Sequence, residues 1–215
     1  MEKEADMEMN LSREEKRILI EEKIRFFLDD HNGIMKTADL EGLGIDYRRI
    51  LALTQQGILT RIKSGYYTLS SENYSQDQLV WRMFPDGILT MESALFVYGY
   101  IEKKPYNWTI AISKNTSKSR FNVDYPILEP YYTEPEVLEL GVTTAKIGDG
   151  EMKIYTRDRL ICDVLKYQEK LDRETVKSAL RGYIDDPKKD VAALMEFAKE
   201  RKVVTKVQYM IGVWL

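Results

Sequence analysis

Two β-prone runs, 58–63 and 66–69, flank the dipeptide Ser64-Gly65. β-branched and aromatic residues on both sides of a short Gly-containing link are typical of a β-hairpin. Because a two-stranded hairpin is only marginally stable alone, it must pack against other elements. This hairpin therefore constrains the fold more than any other feature of the chain.

The segment before the hairpin is rich in helix signals. Ile20, Ile24 and Leu28 recur at helical spacing, which favours an amphipathic helix. Gly57 closes the last helical pattern before the hairpin. The order of helices and hairpin predicts a winged helix-turn-helix over residues 1–70, with a tail over 1–10 that we expect to be disordered. We expect helices over 12–30, 37–41 and 47–56, with Thr37 and Asp46 as the N-caps of the second and third.

The third helix has two different faces. Tyr47, Ile50 and Leu53 are expected to pack on the first helix, whereas Arg48 and Gln55 lie on the other face. Arginine pairs with guanine and glutamine with adenine in the major groove, which favours a recognition helix. Good solvation alone also explains such residues on an isolated helix. The predicted DNA contacts of helix and hairpin are Tyr47, Arg48, Arg49, Gln55, Gln56, Arg61, Lys63 and Ser64.

Charge supports a local rather than a global nucleic-acid surface. The 215 residues carry a net charge of -3, yet residues 44–69 hold four cations and one carboxylate, a net of +3. One cysteine and one histidine, His31, argue against disulfides, zinc sites and histidine-based catalysis. We therefore expect no cofactor, no metal and no enzymatic activity. The chain lacks a segment typical of a leader or membrane span, so we expect a cytoplasmic protein that binds no membrane.

Residues 71–215 predict a larger α+β domain, so the fold class is α+β. Strands are expected near 126–132 and 138–147, and Asp186-Pro187 is expected to open a late helix. A basic loop follows the strand at 108–112. Its cations suit a phosphate or a nucleic acid, although a solvated loop explains them equally well. These possible contacts are Lys114, Lys118 and Arg120.

Three acidic and basic residues suggest one enzymatic alternative. Asp149, Glu151 and Lys153 resemble part of a metal-dependent nuclease pattern, but all three fall on one expected hairpin. An exposed hairpin is the preferred interpretation. Cys162 lies on a helical stripe, and we expect a buried structural thiol.

The hairpin sequence G-I-L-T-R-I-K-S-G-Y-Y-T-L, residues 57–69, resembles the wing of the antitoxin of AbiE-type abortive-infection systems, which are type IV toxin–antitoxin systems. Further along, M-E-S-A-L at 91–95 resembles the family's helix after the linker. D-R-L-I-C-D at 158–163 matches part of a family motif, with Asp158 and Leu160 departing from it. For Arg159 and Asp163 we expect an i, i+4 ion pair near a helix start.

The resemblance implies an N-terminal winged helix that represses its own operon at inverted repeats of operator DNA. It also implies a C-terminal domain, 71–215, that opposes a co-encoded nucleotidyltransferase-like toxin without a tight complex. A stand-alone regulator, whose C-terminal domain binds a ligand or a partner, is the alternative. A nucleotidyltransferase gene next door would favour the antitoxin.

Overall fold

The computed structural model describes residues 12–30, 33–70, 75–123, 126–148 and 150–214. The chain forms two compact units, of which the first ends at Ser75 and the second begins at Gln76. The sequence placed the break at 70/71, and the predicted tail over 1–10 and His31 lie outside the described residues. Among the described helices, none has both the length and the apolar character that a bilayer crossing requires.

The N-terminal unit is a winged helix-turn-helix. Its three strands form an antiparallel sheet in the order β1-β3-β2, which joins the hairpin to the strand before the second helix. The fold predicted for this part of the chain is confirmed. The elements are α1 (Arg13–Asp30), β1 (Met35–Lys36), α2 (Thr37–Gly42), α3 (Tyr47–Gln55), β2 (Leu59–Lys63) and β3 (Tyr66–Leu69).

A small apolar core holds these elements together. Ile24 of α1, Leu40 of α2 and Ile50 of α3 are fully buried, and Leu59 and Leu69 close the core from the hairpin. α1 therefore buries the apolar stripe that its spacing predicted, whereas α2 contributes Leu40 alone. The opposite faces of the helices remain available to solvent.

The start of α2 differs from the prediction. Thr37 is the first helical residue, and Lys36 occupies the cap position without a side-chain cap bond. The Lys36 backbone N–H instead donates to the Asp39 carboxylate at 2.7 Å. A carboxylate in the first turn satisfies a backbone donor and complements the helix dipole, so it replaces the expected threonine cap.

The C-terminal unit is a mixed α+β structure, as predicted. Its five strands follow the order β6-β5-β4-β8-β7, with parallel pairs β4–β8 and β5–β6 and antiparallel pairs elsewhere. Its elements are α4 (Gln76–Met83), β4 (Ile88–Leu89), α5 (Met91–Val97), β5 (Trp108–Ser113), β6 (Leu128–Thr133), α6 (Pro135–Leu138), β7 (Val142–Ile147), β8 (Gly150–Tyr155), α7 (Arg157–Lys166), α8 (Arg173–Asp185), α9 (Val191–Glu200) and α10 (Val204–Met210).

Two boundary predictions for this unit are wrong. The strand expected over 138–147 begins only at Val142, because Pro135 opens a short helix before it. The helix expected from Asp186-Pro187 begins at Val191 and is capped by Asp190, whose carboxylate accepts the Ala193 N–H at 3.0 Å. The tertiary fold, not the local motif, decides which aspartate caps the helix.

Candidate nucleic-acid interface

Helix α3 is fixed at both ends by local chemistry. The Asp46 carboxylate accepts the Arg49 backbone N–H at 2.9 Å, which confirms the predicted N-cap. Gly57 follows the helix with φ +72°, a left-handed conformation that glycine adopts without steric cost. Ile50 and Leu53 anchor the helix in the core. These contacts set which face of α3 remains outside.

Six residues of α3 and its C-cap Gln56 form one continuous outer face. Successive helical residues are about 100° apart around the axis, so the accessible positions span an arc of about 200°. Ile50 and Leu53 occupy the opposite side. In angular order, the outer face consists of Tyr47, Leu51, Gln55, Arg48, Ala52, Gln56 and Arg49, of which only Ala52 is half-buried and the others are exposed.

Tyr47 lies on this outer face and not in the core. Its residue surface is 53 % exposed, so the expectation that Tyr47 packs with Ile50 and Leu53 is wrong. Leu51 beside it is 43 % exposed, and sequence reasoning missed it as a candidate contact. An exposed leucine on a helix of this kind suits a thymine methyl group. Its signal in the sequence is its position one helical turn after Tyr47.

The outer face also carries positive charge with no local counterion. Within the part of the chain that the structure describes, neither Arg48 nor Arg49 has a carboxylate within salt-bridge distance. Along the helix axis, Ala52 lies between Arg48 and Gln55 on the same face. A small residue there lets the helix backbone approach a ligand closely, while the longer side chains reach beyond it.

The two cations of the wing differ in exposure and surroundings. Strict alternation would place Arg61 and Lys63 on one face, but the register between β2 and β3 shifts between them, which is a β-bulge. Arg61 and Ser64 are exposed, and Lys63 is half-buried. The Lys63 ammonium lies over the Tyr66 ring at 4.2 Å from its centroid. The Arg61 Nε–H donates to the Lys63 carbonyl at 3.3 Å, which holds the Arg61 side chain against the backbone of its own strand.

Backbone and side-chain bonds anchor the wing to the helical part of the unit. The Thr37 N–H donates to the Gly65 carbonyl at 2.9 Å, which ties the wing tip to the start of α2. Gly65 itself has φ +76°. The buried Thr68 hydroxyl donates to the Gly33 carbonyl at 2.9 Å. The wing is therefore fixed at its tip as well as along β3.

The three cations of the basic loop differ in exposure and in their partners. Lys114 and Lys118 are exposed. The Arg120 guanidinium instead forms an ion pair with Asp86 through both terminal nitrogens and lies 5.1 Å from the centre of the Phe84 ring. That hydrogen-bonded pair lowers the pKa of the Asp86 carboxyl below its usual value. Arg120 thus holds the loop in place, which leaves Lys114 and Lys118 as its possible phosphate contacts.

In the nuclease-like pattern, Lys153 forms an ion pair outside the pattern and Glu151 is exposed to solvent. Lys153 Nζ lies 3.1 and 3.2 Å from the two Glu139 carboxylate oxygens, and Glu151 is exposed. Asp149 lies outside the described residues. Among the described residues there is no group of three or more His, Cys, Asp and Glu side chains placed to hold a metal ion.

The expected ion pair of Arg159 and Asp163 is present and is deeply buried. Arg159 Nη1 lies 2.6 Å from one Asp163 oxygen, and Arg201 Nε lies 2.6 Å from the other. Arg201 lies 38 residues further along the chain, so the spacing gave no signal for its participation. This triad joins α7 to the end of α9, and it supports the fold of the C-terminal unit rather than an exposed site.

The comparisons with known proteins bear on the N-terminal unit. Residues 22–70 match the family model described as "Transcriptional regulator, AbiEi antitoxin". The match runs from within α1 to the residue after β3, and the search of curated proteins finds no match. The resemblance that the hairpin indicated is confirmed over this segment, where the chain is similar to the AbiEi antitoxin transcriptional regulators.

Proposed function

We propose that the chain is an antitoxin of a type IV toxin–antitoxin system that represses its own operon by binding operator DNA. One observation carries the DNA-binding part of this proposal. The outer face of α3 is continuous and accessible, and it bears Arg48, Arg49 and Gln55 without a neighbouring carboxylate partner among the described residues. The family description supports the regulator and antitoxin roles in general.

The chemistry of the two elements suggests different tasks for them. Arg48 and Gln55 near the middle of the outer face suit the guanine and adenine edges in the major groove. Tyr47 and Leu51 at its margin supply apolar contacts. Arg61, Lys63 and Ser64 of the wing suit phosphate oxygens, which position a protein on the duplex without reading its sequence. In this proposal the helix contacts base edges and the wing contacts the phosphate backbone of the DNA.

A binding assay on the promoter upstream of the chain's own gene tests this assignment. Fluorescence anisotropy with labelled promoter DNA is expected to show specific binding by the full chain, and the Arg48→Ala/Arg49→Ala variant is expected to lose affinity and sequence preference. Losing one good bidentate base contact costs about 1–3 kcal/mol, which is roughly a fivefold to 150-fold weakening. Unchanged affinity in this variant would remove α3 as the recognition helix.

The matched control removes the same amount of charge elsewhere. Lys188 and Lys199 are exposed side chains of the C-terminal unit. The Lys188→Ala/Lys199→Ala variant lowers the net charge by the same two units, so it separates a local contact from a global electrostatic effect. Its affinity is expected to stay within a factor of two or three of the unmodified chain, because neither lysine belongs to α3 or the wing.

The antitoxin part concerns the gene product encoded beside the chain. We infer that the C-terminal unit opposes a nucleotidyltransferase-like toxin without forming a tight complex with it. Growth of cells that express the toxin is expected to recover when the full chain is co-expressed. The Arg48→Ala/Arg49→Ala variant, which keeps the C-terminal unit intact, is expected to rescue growth equally under an independent promoter. Loss of rescue in that variant would contradict the separation of the two tasks.

A stand-alone regulator is the second candidate. The family match ends at residue 70, so it leaves the task of the C-terminal unit open. Under this alternative the C-terminal unit receives a ligand or partner that controls DNA binding. A nucleotidyltransferase gene next to the chain's own gene favours the antitoxin, and its absence favours the stand-alone regulator.

A further inference from the structure

A groove of about 900 Å³ lies in the C-terminal unit between α8 and the segment around Met210 and Trp214. Val176, Leu180 and Ile184 line its floor at spacings of four residues, so they form one apolar stripe along α8. An open apolar groove of this size on a folded unit marks a binding surface more often than an accident of packing.

Large apolar side chains protrude beside the same groove. Tyr209 is 88 % exposed, Val213 is 86 % exposed, and Trp214 at the groove edge is 70 % exposed. Exposed tryptophan and tyrosine are costly in a monomer and are enriched among the residues that dominate protein interfaces. A cavity and a protruding apolar group thus occur together on one edge of the unit.

We propose that this edge is a symmetric interface between two copies of the chain, in which Tyr209 and Val213 of each copy seat in the groove of the other. A two-fold interface requires one surface to be complementary to itself, so it needs a protrusion and a cavity side by side. This inference does not rest on DNA binding, because self-association is a property of the free protein.

The charges around the groove fit a second copy of the chain better than a partner whose surface carries charges of one sign. Arg173, Lys177 and Arg181 stand on the rim together with Glu169 and Asp185, so both signs are present. The only ion pairs of the rim residues within the described chain are long and exposed, at 3.6 Å for Lys177 with Glu174 and 3.8 Å for Arg181 with Asp185. Such pairs are weak, so the rim side chains are able to exchange partners across a two-fold axis.

The available area also fits a dimer of ordinary size. A buried aromatic side chain contributes about 150–250 Å², so the exposed parts of Tyr209 and Trp214 supply about 240–400 Å² per copy. A stable interface needs about 800 Å² from each partner. The two aromatic residues therefore provide about a third to a half of that area, and the groove walls and Val213 are available for the remainder.

Analytical ultracentrifugation of the full chain without DNA tests the proposal, together with its tryptophan fluorescence. A concentration-dependent dimer is expected, with a shift of Trp214 emission to shorter wavelength as the dimer forms. Trp108 is already buried and Trp81 does not line the groove, so the emission of both is expected to change little. A chain that stays monomeric over the accessible concentrations, with emission insensitive to dilution, would overturn the inference.

Two variants locate the interface. Tyr209→Ser/Val213→Ser removes the protrusion at exposed positions where folding is not at risk, and Ile184→Gln makes the groove floor polar. Each is expected to weaken the dimer at least thirtyfold, the loss typical of truncating residues that dominate an interface. Tyr106→Ser, at another exposed position of the unit, is the control and is expected to leave the dimer intact. A dimer that survives Tyr209→Ser/Val213→Ser would show that another surface forms it.

A mixing experiment distinguishes reciprocal insertion from nonspecific association of apolar surfaces. A heterodimer of the Tyr209→Ser/Val213→Ser chain with the Ile184→Gln chain keeps one intact protrusion facing one intact groove. The mixture is therefore expected to associate more tightly than either variant alone. Association no tighter than that of the separate variants would refute reciprocal insertion.

Discussion

Removal of the Asp163 carboxylate is expected to destabilise the C-terminal unit by about 3–5 kcal/mol, the usual loss when a buried charge is left without its partner. Asp163 is the counterion of two arginines at once, with Arg159 and Arg201 each 2.6 Å away. The side chains of the two arginines are 0 % and 1 % exposed. Asp163→Ala thus leaves two positive charges in the interior with no solvent to screen them.

The remaining partners of the arginines do not replace the lost charge. One Arg159 nitrogen donates to the Val137 carbonyl at 3.2 Å, and its Nε has no hydrogen-bond partner within the described structure. Among the described residues, the Arg201 side chain has, besides Asp163, one long contact of 3.5 Å to the Tyr167 hydroxyl. The expected loss is a large share of the 5–15 kcal/mol by which a domain is typically stable. Arg201→Met is expected to cost less, because it leaves one neutral pair.

Tryptophan fluorescence during urea unfolding measures this effect selectively. The three tryptophans, Trp81, Trp108 and Trp214, all lie in the C-terminal unit, so the signal follows that unit and not the winged helix. Glu139→Ala is the control, since it removes an exposed ion pair worth at most about 1 kcal/mol. If Asp163→Ala is no less stable than that control, the buried charges must be compensated in another way and the reasoning fails.

Three further predictions concern charge and protonation. Binding of promoter DNA is expected to weaken with salt, with a slope of log K against log salt of about -3 per protomer if Arg49, Arg61 and Lys63 each meet a phosphate, and Arg49→Ala is expected to flatten it by about 1; an unaltered slope in a salt titration would contradict a phosphate contact by Arg49. Burial raises the pKa of the Cys162 thiol to about 12. At mildly alkaline pH, iodoacetamide is therefore expected to label the native chain far more slowly than the urea-unfolded chain. Equal labelling rates would refute the buried thiol. The folded-state pKa of Asp86 is lowered chiefly by its hydrogen bonds to Arg120, so the contribution of this pair to stability is present above the ordinary carboxyl pKa and is lost as the pH falls. The difference in Tm between the unmodified chain and Asp86→Asn is therefore expected to shrink on acidification. A difference that stays constant with pH would count against the pair.

Local signals account for what the sequence predicted well. The N-cap Asp46, the helix stop at Gly57 and the turn at Gly65 each act through the backbone of their immediate neighbours. Such features do not depend on distant parts of the chain, so a single sequence reveals them. They determine the order of helices and hairpin, and with it the winged helix and the accessible face of α3.

The failures have a common origin in contacts between distant residues. Asp186-Pro187 has the sequence of a helix start, yet the Asp186 carboxylate accepts hydrogen bonds from Tyr100 at 2.8 Å and Arg157 at 2.6 Å. Asp190 caps the helix in its place. Likewise, the bulge in β2 arises from pairing with β3, so the alternation of residues along β2 alone did not reveal it.

Tyr47 shows how periodicity misleads within a single helix. Its spacing of three residues from Ile50 favoured a shared face, but Tyr47 and Leu53 are about 120° apart around the axis. The core of so small a unit is filled by Ile50 and Leu53, and Tyr47 is left outside. The spacing of apolar residues predicts which side of a helix is buried, but it does not predict how many neighbouring positions on that side are buried.

The bond from Thr37 to the Gly65 carbonyl has a consequence for recognition. A hairpin tethered at its far end loses little freedom when it meets a ligand, so the entropic penalty of association is small. Under the proposed function, such a preformed element favours duplexes whose groove dimensions already suit the fixed separation of helix and hairpin.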